Sequence, residues 1–143
     1  PVVVFEKLII DQELASQTLF KKGTAVWHIL RTRQIDGKAV VLDRDFIKYA
    51  IAPDMTREVV ADSLYHYLEN QLSVDISFAQ KEITIDFVND QDKALLDLNP
   101  LDRHVVSVKS HVFLNDATIF QYTDSRHQVD KFQFTEFARR QKR

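Results

Sequence analysis

Cysteine is absent from these 143 residues, and glycine and proline are scarce, at two and three. Without a thiol there is neither a disulfide framework nor a thiolate metal site, and a reducing cytoplasm fits. Two isolated glycines, Gly23 and Gly37, cannot build a glycine-rich phosphate loop. No apolar run approaches the roughly 18 residues of a membrane span, and no secretory leader is legible. Charge is nearly balanced, −2 with a pI near 6.2, so the chain as a whole carries no electrostatic footprint for nucleic acid. The five histidines are scattered, with no ligand pair at i, i+4 spacing, and no Gly-x-Ser-x-Gly elbow surrounds a serine. Asp43 with Asp45, or Glu82 with Asp86, could form an acid pair, but alternating acids on a strand are more often simply hydrated. Neither a cofactor, nor a metal, nor an enzymatic activity is expected.

What is present is an ordinary globular composition, 45% hydrophobic and 28% charged, in a length that suits one domain with a real core. The chain opens abruptly on the strand-like Pro1-Val2-Val3-Val4-Phe5, which reads as a piece of a longer protein. Val2 to Ile10 is rich in β-branched and aromatic residues and predicts a first strand. Asp11 suits the N-cap of a short helix to about Phe20, with Leu14, Ala15 and Leu19 on its buried stripe and Lys21-Lys22-Gly23 as stop signals.

Trp27 to Asp45 is the most informative stretch. It predicts two strands around Ile35-Asp36-Gly37-Lys38, a sequence compatible with two turns. A two-residue type I′ loop would pair Arg33 with Val40; a three-residue loop with a left-handed Gly37 would pair Arg33 with Ala39. The second is preferred. It puts Arg31, Arg33, Asp43 and Asp45 on one face and Leu30, Val40 and Leu42 on the other, and a one-residue slip would exchange the faces. Two arginines at i and i+2 on a strand make a paired guanidinium clamp suited to phosphate or carboxylate. The competing reading is that each arginine pairs with an acid on a neighbouring strand. On the clamp reading, removing Arg33 should cost binding and little stability.

Pro53-Asp54-Met55-Thr56 marks a turn, followed by a helix to about Leu72 with Val60, Ala61, Leu64, Leu68 and Leu72 at helical spacing. Thr56 and Ser63 both suit a helix start, and both serve if the helix is broken near Asp62; Ser63 there is either a plain cap or part of an anion site. Ile76 to Val88 predicts a long central strand. Ala79, Lys81, Ile83, Ile85 and Phe87 share a core-like face, and Phe78, Gln80, Glu82, Thr84 and Asp86 share a polar one. Asn89-Asp90 caps a short third helix with Ala94, Leu95 and Leu98, ending before Pro100. His104 to Leu114 and Ala117 to His127 predict a second hairpin, with Asn115-Asp116 as a type I′ turn. Phe132, Phe134 and Phe137 suggest a last short strand before a basic tail, Arg139 to Arg143. Strands and helices in this order predict an α+β fold, an antiparallel sheet with flanking helices.

Four segments, LRTRQIDGKAVVLDRD, SLYHYLENQL, ISFAQKEIT and FQYTDSRHQVDKFQF, resemble in order and spacing a UTRA domain. This is the effector-binding half of GntR-superfamily (HutC-type) bacterial repressors. The resemblance runs from Val2 to Arg140, and its fine wording is similar to the trehalose operon repressors, a family that senses trehalose 6-phosphate. It implies a chorismate-lyase-like fold over residues 1–143, a cytoplasmic homodimer, and operator DNA contacted only through an N-terminal winged-helix domain outside this chain. It also implies site roles: Arg31 and Arg33 on the phosphate, Ser63 and Tyr65 completing that pocket, and Asp43 on sugar hydroxyls. Contacts on the later hairpin fall at Gln121 and His127, where the residue types depart from the family's acid and tyrosine. With this reading Gln80 and Glu82 become candidates for sugar hydroxyls, Arg126 a structural partner of Asp124 or Asp130, and Trp27 a core residue before an aromatic wall. Another effector, an amino-sugar phosphate or a carboxylate, would use the same arginines; a chorismate-lyase-like enzyme is the more distant alternative.

Overall fold

The computed structural model describes residues 1–70 and 76–140, apart from the side chains at 65, 69 and 70. Leu72 and the end of the basic tail lie outside the described residues. Six strands form one antiparallel sheet: β1 (Val2–Ile9), β2 (Ala25–Ile35), β3 (Lys38–Lys48), β4 (Ile76–Phe87), β5 (His104–Leu114) and β6 (Ile119–Gln128). Their order across the sheet is β1-β2-β3-β6-β5-β4. The two hairpins therefore meet at β3 and β6, in the middle. The helices are α1 (Gln12–Thr18), α2 (Arg57–Asn70) and α3 (Asp90–Leu95).

Alternation along the strands sorts the side chains onto two faces. On one face Val60, Leu64 and Leu68 of α2 bury Ile29, Ile47 and Phe120. On the other, Leu14 and Ala15 of α1 pack near Val26, Phe46 and Tyr122, while Leu95 and Leu96 at the end of α3 pack on Leu30, Leu42 and Val105. Trp27 is a core residue: it stacks on Phe5 and its Nε1 donates to the Ala52 carbonyl at 2.7 Å.

Local chemistry explains most element ends. Asp11 accepts from the Leu14 N–H at 2.8 Å, and Asn89 with Asp92 forms a reciprocal capping box. Helix α1 stops two residues earlier than expected, because Leu19 turns left-handed (φ 68°) and points out; Thr18 and Phe20 are buried in its place. Helix α2 is two helical segments. Ser63 has extended backbone between them, and its Oγ accepts from the His66 N–H, while Thr56 Oγ1 accepts from the Val59 N–H.

The two hairpin turns are the reverse of expectation. Asp36 and Gly37 both have positive φ (52° and 77°), a type I′ loop with Ile35 opposite Lys38. A bulge between Arg33 and Gln34 then shifts the ladder by one, so Arg33 pairs with Val41. That bulge restores the predicted faces. At the second hairpin the positive φ falls on Ala117 (67°), and the Ala117 N–H donates to the Leu114 carbonyl, a type I turn closed by a bulge. The predicted final strand does not form; residues 132–140 run without regular structure.

The face under α1 and α3 carries two buried polar networks. Arg44 Nε donates to His28 Nε2 at 3.1 Å, which fixes the neutral ring with its proton on Nδ1, facing Glu6 at 3.2 Å. Arg126 is bound to Asp92 through Nε and Nη2, to Asp86 through Nη1, and to the Phe87 carbonyl. Asp124 lies 3.5 Å from it, as expected; Asp130 instead accepts from Asn99.

Candidate functional site

On the α2 face, three neighbouring strands carry a polar row beside the apolar core. Arg31 and Arg33 come from β2, Asp43 and Asp45 from β3, and Gln121, Thr123, Ser125 and His127 from β6. The ladder aligns them, with Arg31 opposite Asp43, Asp43 opposite Ser125, and Asp45 opposite Thr123. Arg33 donates to both oxygens of Asp43, from Nε at 2.8 Å and Nη2 at 3.2 Å, and Ser125 Oγ donates to the same carboxylate at 2.6 Å. Arg31 Nη2 donates to Asp45 at 3.3 Å. Thr123 Oγ1 (2.8 Å) and Gln121 Nε2 (3.1 Å) donate to the other Asp45 oxygen.

The arginines are thus paired with buried acids, as the competing reading of the sequence had it; an open clamp is not what the structure shows. Their donors are only partly used. Of five N–H donors on a guanidinium, Asp43 takes two from Arg33, and Asp45 takes one from Arg31. The Arg33 side chain is 57% exposed, whereas that of Arg31 is 18% exposed, and Arg31 Nε is buried with no acceptor among the described residues. A buried donor without an acceptor costs about 1–3 kcal/mol. Burial raises the Asp45 carboxyl above its usual range, against the Arg31 charge and the hydrogen bonds from Thr123 and Gln121.

His127 closes the row. It lies edge-on to Phe132, with ring centroids 5.1 Å apart. Burial, then the Arg33 charge, lowers its affinity for a proton, and Asp43 opposes them. His28 is lowered too, first by burial, with the Glu6 hydrogen bond opposing. Both folded values lie below the ordinary 6.5. As pH falls below 6.5 the unfolded chain therefore takes up more protons than the folded one, and stability drops until the folded values are passed. Denaturant unfolding should give a lower stability at about pH 5.5 than at about pH 7.5. The difference between wild type and a His28→Gln/His127→Gln double variant isolates the imidazoles from Asp45, whose raised value works in the opposite direction. A double variant as pH-sensitive as wild type would refute this.

The structure brings together Arg31, Arg33, Asp43, Gln121 and His127. Ser63 and Tyr65 belong to α2, which packs on this face; among the described residues no hydrogen bond joins Ser63 to the arginines, and the Tyr65 side chain lies outside the described residues. Gln80 and Glu82 are on the other face, because they pair with His111 and Lys109 while Ala79 and Lys81 align with Val112 and Ser110. They are also on an edge strand and exposed. The odd-numbered row is the one that faces the site: Lys81 lines a cavity of about 240 Å³ with Gln121, Thr123 and Ser125. A second cavity, of about 580 Å³, shares Lys81 and Val108 with the first and is lined also by Ile83, Phe132 and Phe134. Sequence reasoning missed Thr123 and Ser125, although their alternation with Gln121 and His127 along one strand was the signal available.

A two-hairpin antiparallel sheet with helices on both faces carries this polar row on the α2 side. The sequence profile of the UTRA domain matches residues 1–133, and the chain belongs to that family. Among curated proteins it is 47% identical, over 82% of its length, to the HTH-type transcriptional regulator TreR of Bacillus subtilis, covering 49% of that protein. It is 27% identical, over 97% of its length, to the Escherichia coli mannosyl-D-glycerate transport/metabolism system repressor MngR, covering 58% of it. The chain thus spans about half the length of these relatives. The solved effector-binding domain of B. subtilis TreR superposes with a TM-score of 0.91 at 40% identity, covering 99% of this chain and 97% of that one. A GntR-family regulator from Bacillus cereus shares the fold, with a TM-score of 0.84 at 21% identity. The chain corresponds to the effector-binding domain of a TreR-like transcriptional regulator.

Proposed function

We propose that this chain is the sensor of a cytoplasmic repressor and binds a sugar phosphate, trehalose 6-phosphate first among them, at the arginine row. The parent protein would hold operator DNA through a winged-helix domain outside this chain, as a homodimer matching a two-fold operator. The observation that carries the reading is the convergence of two partly used guanidinium groups, one with an orphaned buried N–H, on a polar row in a chain so similar to TreR. Asp43 and Asp45 hold the arginines in place, and the remaining donors serve the phosphate oxygens. Gln121, His127 and Asp43 serve the sugar. Ser63, on α2, completes the phosphate pocket on this reading. Effector binding then biases the pair of domains by a coupling free energy, typically about 1–3 kcal/mol.

Titration calorimetry with trehalose, trehalose 6-phosphate and glucosamine 6-phosphate tests this. Trehalose 6-phosphate should bind at least about 100-fold more tightly than trehalose, the equivalent of one or two charge-assisted hydrogen bonds. Equal affinity for the two would remove the arginines from the reading. Tightest binding of glucosamine 6-phosphate would keep the phosphate site and change the effector.

A further inference from the structure

Lys81 is out of place in its row. Ala79, Ile83, Ile85 and Phe87 share its face of β4, all apolar, and no ion pair ties its ammonium group to an acid among the described residues. Both cavities on this face reach it. The first, of about 240 Å³, runs along Ser110, Thr123 and Ser125. Ser125 donates to the Asp43 carboxylate that Arg33 grips, so this cavity continues the arginine row. The second, of about 580 Å³, meets the first only at Lys81 and Val108 and adds Phe132, Phe134 and Glu136. Phe132 stands edge-on to His127, at the end of the polar row.

We propose that Lys81, with Phe132 and Phe134, forms a subsite for a second sugar ring and so selects a disaccharide phosphate over a monosaccharide phosphate. The proposal rests on the sugar-phosphate reading above and adds the residues that measure the effector's length. Four strand intervals separate β2 from β4, roughly 19 Å at the ordinary spacing of strands. Arg31 and Arg33 lean over β3 to reach Asp45 and Asp43, so a phosphate on their remaining donors sits over β2 and β3. One pyranose ring then lies over β6, beside Gln121 and His127, and ends short of β4. A second ring, linked to the first, falls between Ser110 of β5 and Lys81 of β4, which are paired across the ladder. The lining suits such a ring. The Lys81 ammonium group donates to ring hydroxyls, the Glu136 carboxylate and the Ser110 hydroxyl accept from them, and the Phe132 and Phe134 rings cover C–H faces. Apolar walls with a few placed polar groups are the ordinary make-up of a small-molecule site. The charges of Lys81 and Glu136 offset each other on the second cavity, which favours a neutral polyol there over a second anion.

Titration calorimetry with trehalose 6-phosphate and glucose 6-phosphate tests the subsite. Wild type should prefer the disaccharide by about 10-fold or more, the contribution of a hydrogen bond to a charged group plus the aromatic contact. Lys81→Met keeps the side chain's length and removes its donors, and Phe134→Ala removes an aromatic face. Both positions are exposed, so neither change should move the melting temperature. Each should cut the preference for the disaccharide to about 3-fold or less. Lys81→Arg, which restores the donors, should keep it. Equal affinity of wild type for the two sugar phosphates, tighter binding of the monosaccharide, or a preference unchanged in both Lys81→Met and Phe134→Ala would overturn the subsite and leave the arginine site standing. Failure of wild type to bind either sugar phosphate would sink the sugar-phosphate reading, and the subsite with it.

Discussion

Replacing Arg33 with alanine is expected to weaken trehalose 6-phosphate binding by about 10- to 100-fold, the loss of one charge-assisted contact of roughly 1.5–3 kcal/mol. Trehalose, with no phosphate, should lose far less. The sequence alone suggested that this variant would keep its stability, since a surface arginine is cheap to remove. The structure changes that half of the expectation. Asp43 is buried, and without Arg33 its carboxylate keeps, among the described residues, only Ser125 as a side-chain donor. Stability should therefore fall by about 1–3 kcal/mol, the cost of an under-satisfied buried polar group. An Arg33→Ala/Asp43→Asn double variant separates the two effects, because a neutral amide in that place no longer needs a cation. Chemical denaturation should recover most of the lost stability in the double variant, while calorimetry shows binding still weak. Full recovery of binding would mean that Arg33 only neutralises Asp43 and never meets the phosphate.

That separation shows what the sequence could reveal and what it could not. Faces were legible because side chains alternate along each strand: Arg31, Arg33, Asp43 and Asp45 do share a face, with Leu30 and Leu42 on the other, while Val40 is the unpaired residue of the bulge. The turn that sets them was not. Asp36-Gly37 serves either of two loops, and the bulge that corrects the ladder has no sequence marker. Asn115-Asp116 looked like a type I′ turn, yet alanine at 117 takes the left-handed position, and Asp116 accepts from Thr118 to hold it. The kink in α2 was legible because both Thr56 and Ser63 are caps. β4 was misplaced for a physical reason. A long strand with one apolar row reads as central, but the same pattern occurs on β4 at the edge of the sheet. Strand order is a long-range property, and with it went the assignment of Gln80 and Glu82 to the site.

Alanine at position 126 should be the most destabilising change outside the apolar core, by about 3–5 kcal/mol, the usual consequence of breaking a buried ion pair. Arg126 joins three parts of the fold. It binds Asp92, which is fully buried and also closes the capping box of α3; it binds Asp86 on the outer strand; and it binds the Phe87 carbonyl where β4 ends. Its partners hold its proton more firmly than usual, the hydrogen bonds and charge of Asp92 outweighing the burial that works against them. Removing the cation strands a carboxylate with no water to solvate it, and it loosens the end of β4. Domains of this size have about 5–15 kcal/mol of stability in all, so the variant should be partly unfolded at physiological temperature. Urea denaturation measures the loss. Arg126→Ala/Asp92→Leu should recover part of it, since burying an apolar pair costs less than burying one unmatched charge. Because this network lies on the face opposite the arginine row, the folded fraction of Arg126→Ala should bind effector as wild type does. An affinity loss as large as that of Arg33→Ala, after correction for unfolded protein, would mean that the two faces of the sheet are coupled.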